Sequence, residues 1–470
     1  MLLHRRGPEF EERARCAVTR TSLAVLVVHV SMARMRLSWW ILVALSVASC
    51  GSRAGSAPPT CPNPGRGGPL QFPIARAGAC LVDAGGAAVW LQGEAAWSLL
   101  VRLDDDEVDR YLADRRARGV NALLVNLIEH KFADRAPLDR SGNPPFTTQG
   151  DFATPNEAYF AHVDRVLARA AAAGMAVLLA PAYLGDKGGD EGWYEEIRRN
   201  GPTKLRAYGR FLGARYRGTP NLIWVEGGDA PPMAAGDEID ALVAGIRETD
   251  PVHLHAAHSA RYRSALDDYD RPWLDLNTTY SDCEGHDRQL RRDARRKRSI
   301  PTIFIEGTYE GEQASPGCTI SQAYRTLLSG AAGHVFGNRP IWLFDAGWQQ
   351  ALDSPGSRAM QQLAALIAAH DLRGLVSDFD GATAGVALAR SRSGTMLAFV
   401  DVGPRALPVA AGGGTTARHA AWWFPANGIT LDAGRHDPAS AFELTAPPGG
   451  PWLLIVEDTA LVTGPSSVGR

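Results

Sequence analysis

The stretch NEAYFAHVDRVLARAAAAGMAVLLAPAY, residues 156–183, sets the reading of this chain. Residues 156–173 read as a helix, with Asn156 as its cap and Gly174 as the glycine just past its end. Residues 176–183 then form an apolar run bounded by turn residues, the pattern of a strand buried on both faces. The same alternation extends in both directions. Upstream lie strand-like 88–97, helical 104–118 closed by Gly119, and strand-like 122–128. Downstream, strand-like 222–228, 253–259, 274–281, 302–309 and 334–342 alternate with helical 202–216, 236–248, 287–298, 320–330 and 357–370. The fifth and sixth strands are joined by a short, weakly helical segment. Eight repeats in about 300 residues predict a (β/α)8 TIM barrel over residues 73–372. A doubly wound nucleotide-binding sheet fits less well, because no glycine-rich phosphate motif follows an early strand.

After residue 373 the pattern changes. Short strand-like segments at 384–389, 396–402, 419–424, 441–444 and 452–457 are separated by Gly, Pro, Asn and Asp turns. They predict a small C-terminal antiparallel β-sandwich over 373–461, ending in a frayed tail.

The composition of the 470 residues is that of a globular chain, 45% hydrophobic and 21% charged. It excludes a disordered, collagenous or polytopic membrane protein. A net charge of −2 gives no basic field for nucleic acid.

Residues 1–50 read as a leader. Arg34 and Arg36 precede an apolar run over 37–47, too short to span a membrane. The run ends in Val47-Ala48-Ser49-Cys50, which resembles the bacterial lipoprotein processing box. That predicts lipidation of Cys50 and a membrane-anchored, exported protein; cleavage as an ordinary signal peptide is the alternative and would give a secreted one. Met32 and Met35 are candidate starts. Residues 51–72, rich in Gly, Pro and Ser, read as a tether. An oxidising compartment permits disulfides among Cys61, Cys80, Cys283 and Cys318. Cys61–Cys80 and Cys283–Cys318 are the expected pairs, the second because both cysteines fall in neighbouring loops of the barrel. A thiolate metal site is disfavoured by the lack of CxxC spacing.

A barrel of this type carries its chemistry at the C-terminal ends of its strands. Those ends hold Glu94 and Trp97; Asn126, Glu129 and His130; Tyr183; Glu226 and Asp229; His258; Tyr280; Glu306 and Glu310; and, on the eighth strand, His334, Asn338 and Trp342. This ring of carboxylates, amides and aromatics suits a polyhydroxylated substrate, a carbohydrate. Strands four and seven face each other across an eight-stranded ring. Asp229 and Glu306 are therefore the expected catalytic pair, flanking a glycosidic bond. Glu94, Trp97, Asn126, His130, Tyr183, Glu226, His258, Tyr280, Glu310, His334, Asn338 and Trp342 are expected to bind substrate.

Plainer readings exist for each. Asp229 could cap the next helix, with Gly227-Gly228 a tight turn rather than an opening for substrate. Glu226 could pair with a neighbour, Glu94 could hold an arginine, and Glu310 could order its loop. The histidines read as hydrogen-bonding groups. No HExxH is present, and His253-Leu254-His255 lies at the wrong end of its strand for a metal in the site. No metal or cofactor is expected. The long loop 131–155 is placed to shape the pocket or act as a lid. The basic run 291–298 reads as a solvated helix face.

Several segments are similar to the apiosidase-like glycoside hydrolases, bacterial barrels followed by a domain of the collagen-binding type. LQGEAAWSLL (91–100) resembles their GDTAW start, and residues 154–181 resemble their YF…vD…A…G helix and third strand. NLIWVEGGD (221–229) resembles NIIWxxGGD, FIEGTYEG (304–311) resembles GEPxYEG, and GHVFGNRPIW (333–342) resembles GHxYGxxxIW. ARHAAWWFPANGITLDAG (417–434) is similar to the C-terminal domain's WxDPxTG turn. The resemblance implies a retaining glycosidase, with Asp229 as acid/base and Glu306 as nucleophile, and carboxyls ~5–5.5 Å apart. Two departures, Glu94-Ala95 for the usual Asp-Thr and LDLNTTYSDCEGH for a QSGH spelling, imply a different floor to the sugar site. A non-catalytic glycan- or matrix-binding surface protein and a metal-dependent hydrolase are the competing readings.

Overall fold

The computed structural model describes residues 70–458, apart from 313, 371, 373, 392, 393, 413 and 414. Cys50 and Cys61 lie outside the described residues. Eight parallel strands form the barrel: β1 (Leu91–Ala95), β2 (Ala122–Asn126), β3 (Ala176–Ala180), β4 (Leu222–Gly227), β5 (Leu254–His258), β6 (Asn277–Tyr280), β7 (Thr302–Glu306) and β8 (Gly333–Phe336). They are ordered β5-β4-β3-β2-β1-β8-β7-β6. The β5–β6 seam has no ladder. There the His255 carbonyl accepts from Asp275 N at 2.8 Å and Leu276 N at 3.2 Å, and Thr278 donates to the Ala257 carbonyl.

Helices α1 (Asp105–Ala117), α2 (Glu157–Ala172), α3 (Tyr194–Tyr216), α4 (Gly236–Thr249), α5 (Ala265–Asp268), α6 (His286–Ala294), α7 (Pro316–Leu328) and α8 (Pro355–Ala369) follow the strands in turn. The expected weak connection between the fifth and sixth strands is the single turn α5. Sequence caps work as their chemistry requires. Asn156 accepts from Ala158 N, and Asp104 and Glu107 form a reciprocal capping box. Ser315 and Ser354 each cap a helix whose first residue is proline. Helix α3 begins before residue 202, because a segment ahead of Pro202 joins it through a kink at Gly201, φ +69°.

Alternate strand residues divide between two cores. Leu91, Ala122, Leu124, Leu178, Ile223, Val225 and Ile303 fill the barrel interior. Leu123, Val125, Val177, Leu179, Leu222 and Trp224 pack outward on the helices. A hairpin, Ala75–Ala77 with Cys80–Val82, places Ile74 and Leu81 in the interior cluster at the N-terminal end. The interior is thus apolar and closed below, which leaves polar chemistry to the opposite mouth.

The C-terminal strands are β9 (Val386–Arg390), β10 (Met396–Val400), β11 (Gly403–Val409), β12 (Arg418–Phe424), β13 (Ile429–His436), β14 (Phe442–Gly449) and β15 (Trp452–Asp458). One antiparallel sheet runs from Val376–Ser377 through β9-β10-β15-β12-β13; a second pairs β11 with β14. Val386, Leu388, Leu407, Val409, Trp422, Ala446 and Leu454 form the core between them, a β-sandwich. The other face of the larger sheet, through Leu397, Phe399, Leu453 and Ile455, packs on Tyr324, Met360 and Leu363 of α7 and α8. Buried Arg325 reinforces that contact by bonding Asp287, the Gly385 carbonyl and Asp401. Cys283 and Cys318 form a disulfide, Cα–Cα 5.9 Å. Cys80 is also disulfide-bonded.

Candidate active site

Backbone strain concentrates at one end of the barrel. Among the described residues, the non-glycine residues with left-handed φ are Lys187, Asp229, Met233, Tyr262 and Phe344. All follow the C-terminal end of β3, β4, β5 or β8. Such residues are held there only when their surroundings over-determine them. The loops enclose a cavity of about 160 Å³ lined by Trp97, Phe132, Tyr183, Asp229, Arg261, Tyr280, Glu306, Gly307, Thr308, Tyr309, Glu312 and Trp342. A larger cavity, about 300 Å³, opens at the N-terminal end against Leu81, Trp90, Ile300 and Leu375. Its carboxylate, Asp293, is already bonded to Arg296. Asp229, Glu306 and the aromatic side chains line the smaller space.

Strand β4 ends in three consecutive left-handed residues, Gly227 (φ +78°), Gly228 (φ +130°) and Asp229 (φ +48°). The two glycines are required by the protein itself. A Cβ on Gly227 would lie 2.5 Å from the Tyr269 hydroxyl, and one on Gly228 would lie 2.2 Å from the Tyr183 ring. They make a tight turn packed on neighbouring side chains, as the plainer reading of Gly227-Gly228 has it. The turn delivers the Asp229 carboxyl to the cavity. Burial raises its pKa to about 7, and the negative charge of Glu306 adds to the effect.

Glu306 reaches the cavity by a different device. Ile303 and Ile305 both point to the barrel interior, so simple alternation would send Glu306 outward. The register to β6 shifts between Phe304 and Glu306, where β7 carries an extra residue. This bulge re-aims Glu306 inward. Its Oε2 accepts from His258 Nε2 at 2.6 Å. The other ring nitrogen, Nδ1, accepts the Asp229 backbone N–H at 2.8 Å, and the His258 carbonyl accepts from Gly228 N at 3.0 Å. Burial works against an imidazolium at His258 and Glu306 works for it, with a net upward pull. The Asp229 N–H opposes that pull, because a second ring proton would face a donor.

Aromatic side chains wall the cavity. Trp97 meets Tyr183 edge-on at 5.6 Å and donates to the Tyr309 hydroxyl at 3.0 Å. Phe132 packs on Tyr183 at 5.3 Å and Trp342 at 5.4 Å. Trp342 Nε1 donates to Glu312 at 2.7 Å. Arg261 donates to the Tyr280 hydroxyl at 3.0 and 3.2 Å. Burial holds the Tyr183, Tyr280 and Tyr309 phenols well above their ordinary pKa, so they stay protonated hydrogen-bonding groups.

Of the residues expected to line the site, Trp97, Tyr183, Asp229, Tyr280, Glu306 and Trp342 do so. The others are corrections. Glu94 faces the helix layer, paired with Arg115 at 2.8 Å and accepting from Tyr111 at 2.7 Å. The Glu94 half of the Glu94-Ala95 departure therefore lies in the helix layer, while Ala95 faces the barrel interior. Glu226 likewise faces outward, against His255 at 3.1 Å, and burial raises its pKa. His334 stacks on Phe304 on the helix side of β8, and burial lowers its pKa to about 3. His130 packs on Trp193 and bonds the Asp190 carbonyl, so it pins one loop to another. Glu310 and Asn338 bond each other and Ser354, and Glu310 accepts from Gly356 N, which ties the β7 loop to the start of α8. His258 stands behind the two carboxyls, 1% exposed, with both nitrogens taken. Asn126 is buried, and its amide has no hydrogen-bond partner among the described residues.

Sequence reasoning missed Phe132, Arg261, Gly307, Thr308, Tyr309 and Glu312 as lining residues. Phe132 lies in the loop flagged as a pocket former, and its aromatic identity was the available signal. Phe146 and Phe152 of that loop pack on Trp193 and Tyr208. Arg261 sits two residues past the fifth strand as read.

Residues 75–373 match the family model of the apiosidase-like catalytic domain. Among curated proteins none matches the sequence. A solved structure described as a glycoside hydrolase superposes with a TM-score of 0.72 at 22% identity, over 83% of this chain and 97% of that one. A family 5 glycoside hydrolase from Bacteroides vulgatus gives 0.73 at 21% identity, over 84% and 95%. At these identities the two structures speak to the fold alone.

Proposed function

The chain belongs to the apiosidase-like family of glycoside hydrolases, and from that premise we propose a retaining glycosidase acting on a polysaccharide or oligosaccharide, with Asp229 as acid/base and Glu306 as nucleophile. The observation that carries the reading is the pairing itself. Asp229 and Glu306 line one aromatic cavity together with Glu312, which Trp342 holds, and burial plus the Glu306 carboxylate keeps a proton on Asp229 near neutral pH.

In the first step the Asp229 proton passes to the glycosidic oxygen while a Glu306 carboxylate oxygen attacks the anomeric carbon. The bond to the leaving group breaks and a glycosyl ester forms on Glu306. Water then adds to the anomeric carbon, gives its proton to Asp229 and releases Glu306. Trp97, Tyr183, Tyr280 and Trp342 supply apolar faces and hydroxyls for one sugar ring.

The test is release of sugar from plant-wall and bacterial glycans and aryl glycosides, with Glu306→Gln run beside the wild type. Release that is lost in the variant, with product of unchanged anomeric configuration by proton NMR, supports the proposal. Glycan binding equal in both proteins with no release would replace it by the binding-protein reading. We further infer an exported, lipid-anchored protein held through Cys50. Cys50→Ser should move the protein from the membrane fraction to the soluble one, and an unchanged distribution would reject the anchor.

A further inference from the structure

We propose that His258 is the positioning residue of the catalytic pair: as a single Nε2–H tautomer it holds the Glu306 carboxylate with one nitrogen and the backbone of Asp229 with the other. The inference deepens the glycosidase reading above and rests on it for its catalytic meaning.

The geometry leaves the imidazole little choice. An amide N–H can only donate, so the Asp229 N–H at 2.8 Å requires a lone pair on Nδ1. The ring proton of the neutral form must then sit on Nε2, which lies 2.6 Å from Glu306 Oε2. The tautomer that satisfies Asp229 is the one that supplies a donor to Glu306. The ring is boxed in by Trp97, centroid distance 5.8 Å, and Tyr280 at 5.7 Å. With Gly228 N on its carbonyl and the side chain 1% exposed, it cannot swing to meet substrate.

Each bond has a separate task. The Nε2–H bond orients Oε2 and supports the charged carboxylate, beside the Tyr309 hydroxyl, which also hydrogen-bonds Glu306. The Nδ1 bond holds the backbone of the residue, which sits at a left-handed φ of +48°. One ring thereby sets the relative placement of two groups whose separation decides the stereochemical course. The strands involved are β4, β5 and β7, so no local segment could do this alone.

Three variants separate the tasks. His258→Asn places an amide near Nδ1 and can still accept from Asp229. His258→Gln places one near Nε2 and can still donate to Glu306. His258→Ala does neither. We expect kcat to fall about 10²-fold in His258→Ala, the scale of a small misplacement, with KM within about twofold. In His258→Ala and His258→Asn the acid limb of the kcat/KM profile moves to higher pH, because the carboxylate has lost a donor. In His258→Gln the limb returns toward the wild-type position. Equal losses in all three with unmoved limbs would overturn the proposal and leave His258 as packing.

Nitrogen-15 NMR of the full chain keeps the test independent of activity. The wild type should show an unprotonated Nδ1 and a protonated Nε2. An imidazolium or the opposite tautomer would overturn the proposal even in an active glycosidase. The expected tautomer in a protein that releases no sugar would instead reject the glycosidase reading, and with it the catalytic meaning of the linkage.

Discussion

Burial and the Glu306 carboxylate keep Asp229 protonated up to about pH 7, against an ordinary aspartate value near 3.8. The acid needed in the first step is therefore lost as pH rises through that point. We expect kcat/KM to fall about tenfold per unit above it, read from a pH–rate profile; a flat profile to pH 9 would assign the acid elsewhere. The same shift has a cost in stability. The proton is bound more tightly in the folded state, so this group's contribution is fully present below the unfolded pKa and is lost as pH climbs to about 7. Asp229→Asn removes the charge and tolerates the left-handed backbone. Its Tm should exceed that of the wild type by a few degrees at pH 8, and the difference should close at pH 4. Glu94 gives the opposite case. Its pair with Arg115 is 1% exposed on both sides. Glu94→Ala removes one of the two carboxylates on a buried guanidinium, leaving Asp114, and should cost about 2–3 kcal/mol by chemical denaturation. KM should stay unchanged, whereas a substrate-binding Glu94 would raise it.

At the scale of elements, the contrast between Glu306 and Glu226 explains what the sequence could and could not disclose. Strand order, helix order and most ends were legible, because apolar runs, caps and C′ glycines act locally. The facing of a strand buried on both sides was not, since such a strand shows no alternation. Glu94, Glu226 and His334 therefore looked like site residues while pointing into the helix layer, and Glu306 faces the site only because β7 is bulged. Strands β11 and β13 went unread in the C-terminal region. The first carries Pro404 and Pro408, and the second is largely exposed. The α3–α4 contact was legible in principle from Gly209, Gly213 and Gly245. A Cβ on Gly245 would lie 2.1 Å from the Arg206 carbonyl, and one on Gly209 2.2 Å from that of Leu242. Two helices touch backbone to backbone there. Gly245→Ala should push them apart and lower stability by about 1–3 kcal/mol. Gly236→Ala, at the start of α4 with nothing within 4 Å of its Cβ, is the neutral control. Denaturation midpoints that move equally in the two variants would mean that helix propensity, not the contact, decides.

At the scale of the molecule, the question is whether the sandwich is an appended module or part of the enzyme's fold. Among the described residues, none beyond Trp342 lines the cavity. The sandwich does complete the barrel's outer surface. Tyr324, Met360 and Leu363 are each at most 2% exposed, and their cover includes Leu397, Phe399 and Leu453 of the larger sheet. The Trp423 indole donates to the Tyr324 hydroxyl at 3.1 Å, and Arg325 would lose Asp401 and the Gly385 carbonyl if the sheet were absent. A barrel ending at residue 373 would expose this apolar face together with a guanidinium reduced to its barrel partners, Asp287 and Ser321. Faces of that kind drive association. We expect the truncated chain to aggregate on size-exclusion chromatography, or to melt well below the full chain. A milder variant isolates the cause: Phe399→Ala leaves both parts in place and removes one buried ring, at a cost of about 3–5 kcal/mol. If the sandwich is integral, that loss appears in a single unfolding transition shared by barrel and sheet, with kcat unchanged below it. A monomeric truncated barrel with full activity and an unshifted Tm would make the sandwich a separable module, and its function would then have to be sought on its own surface.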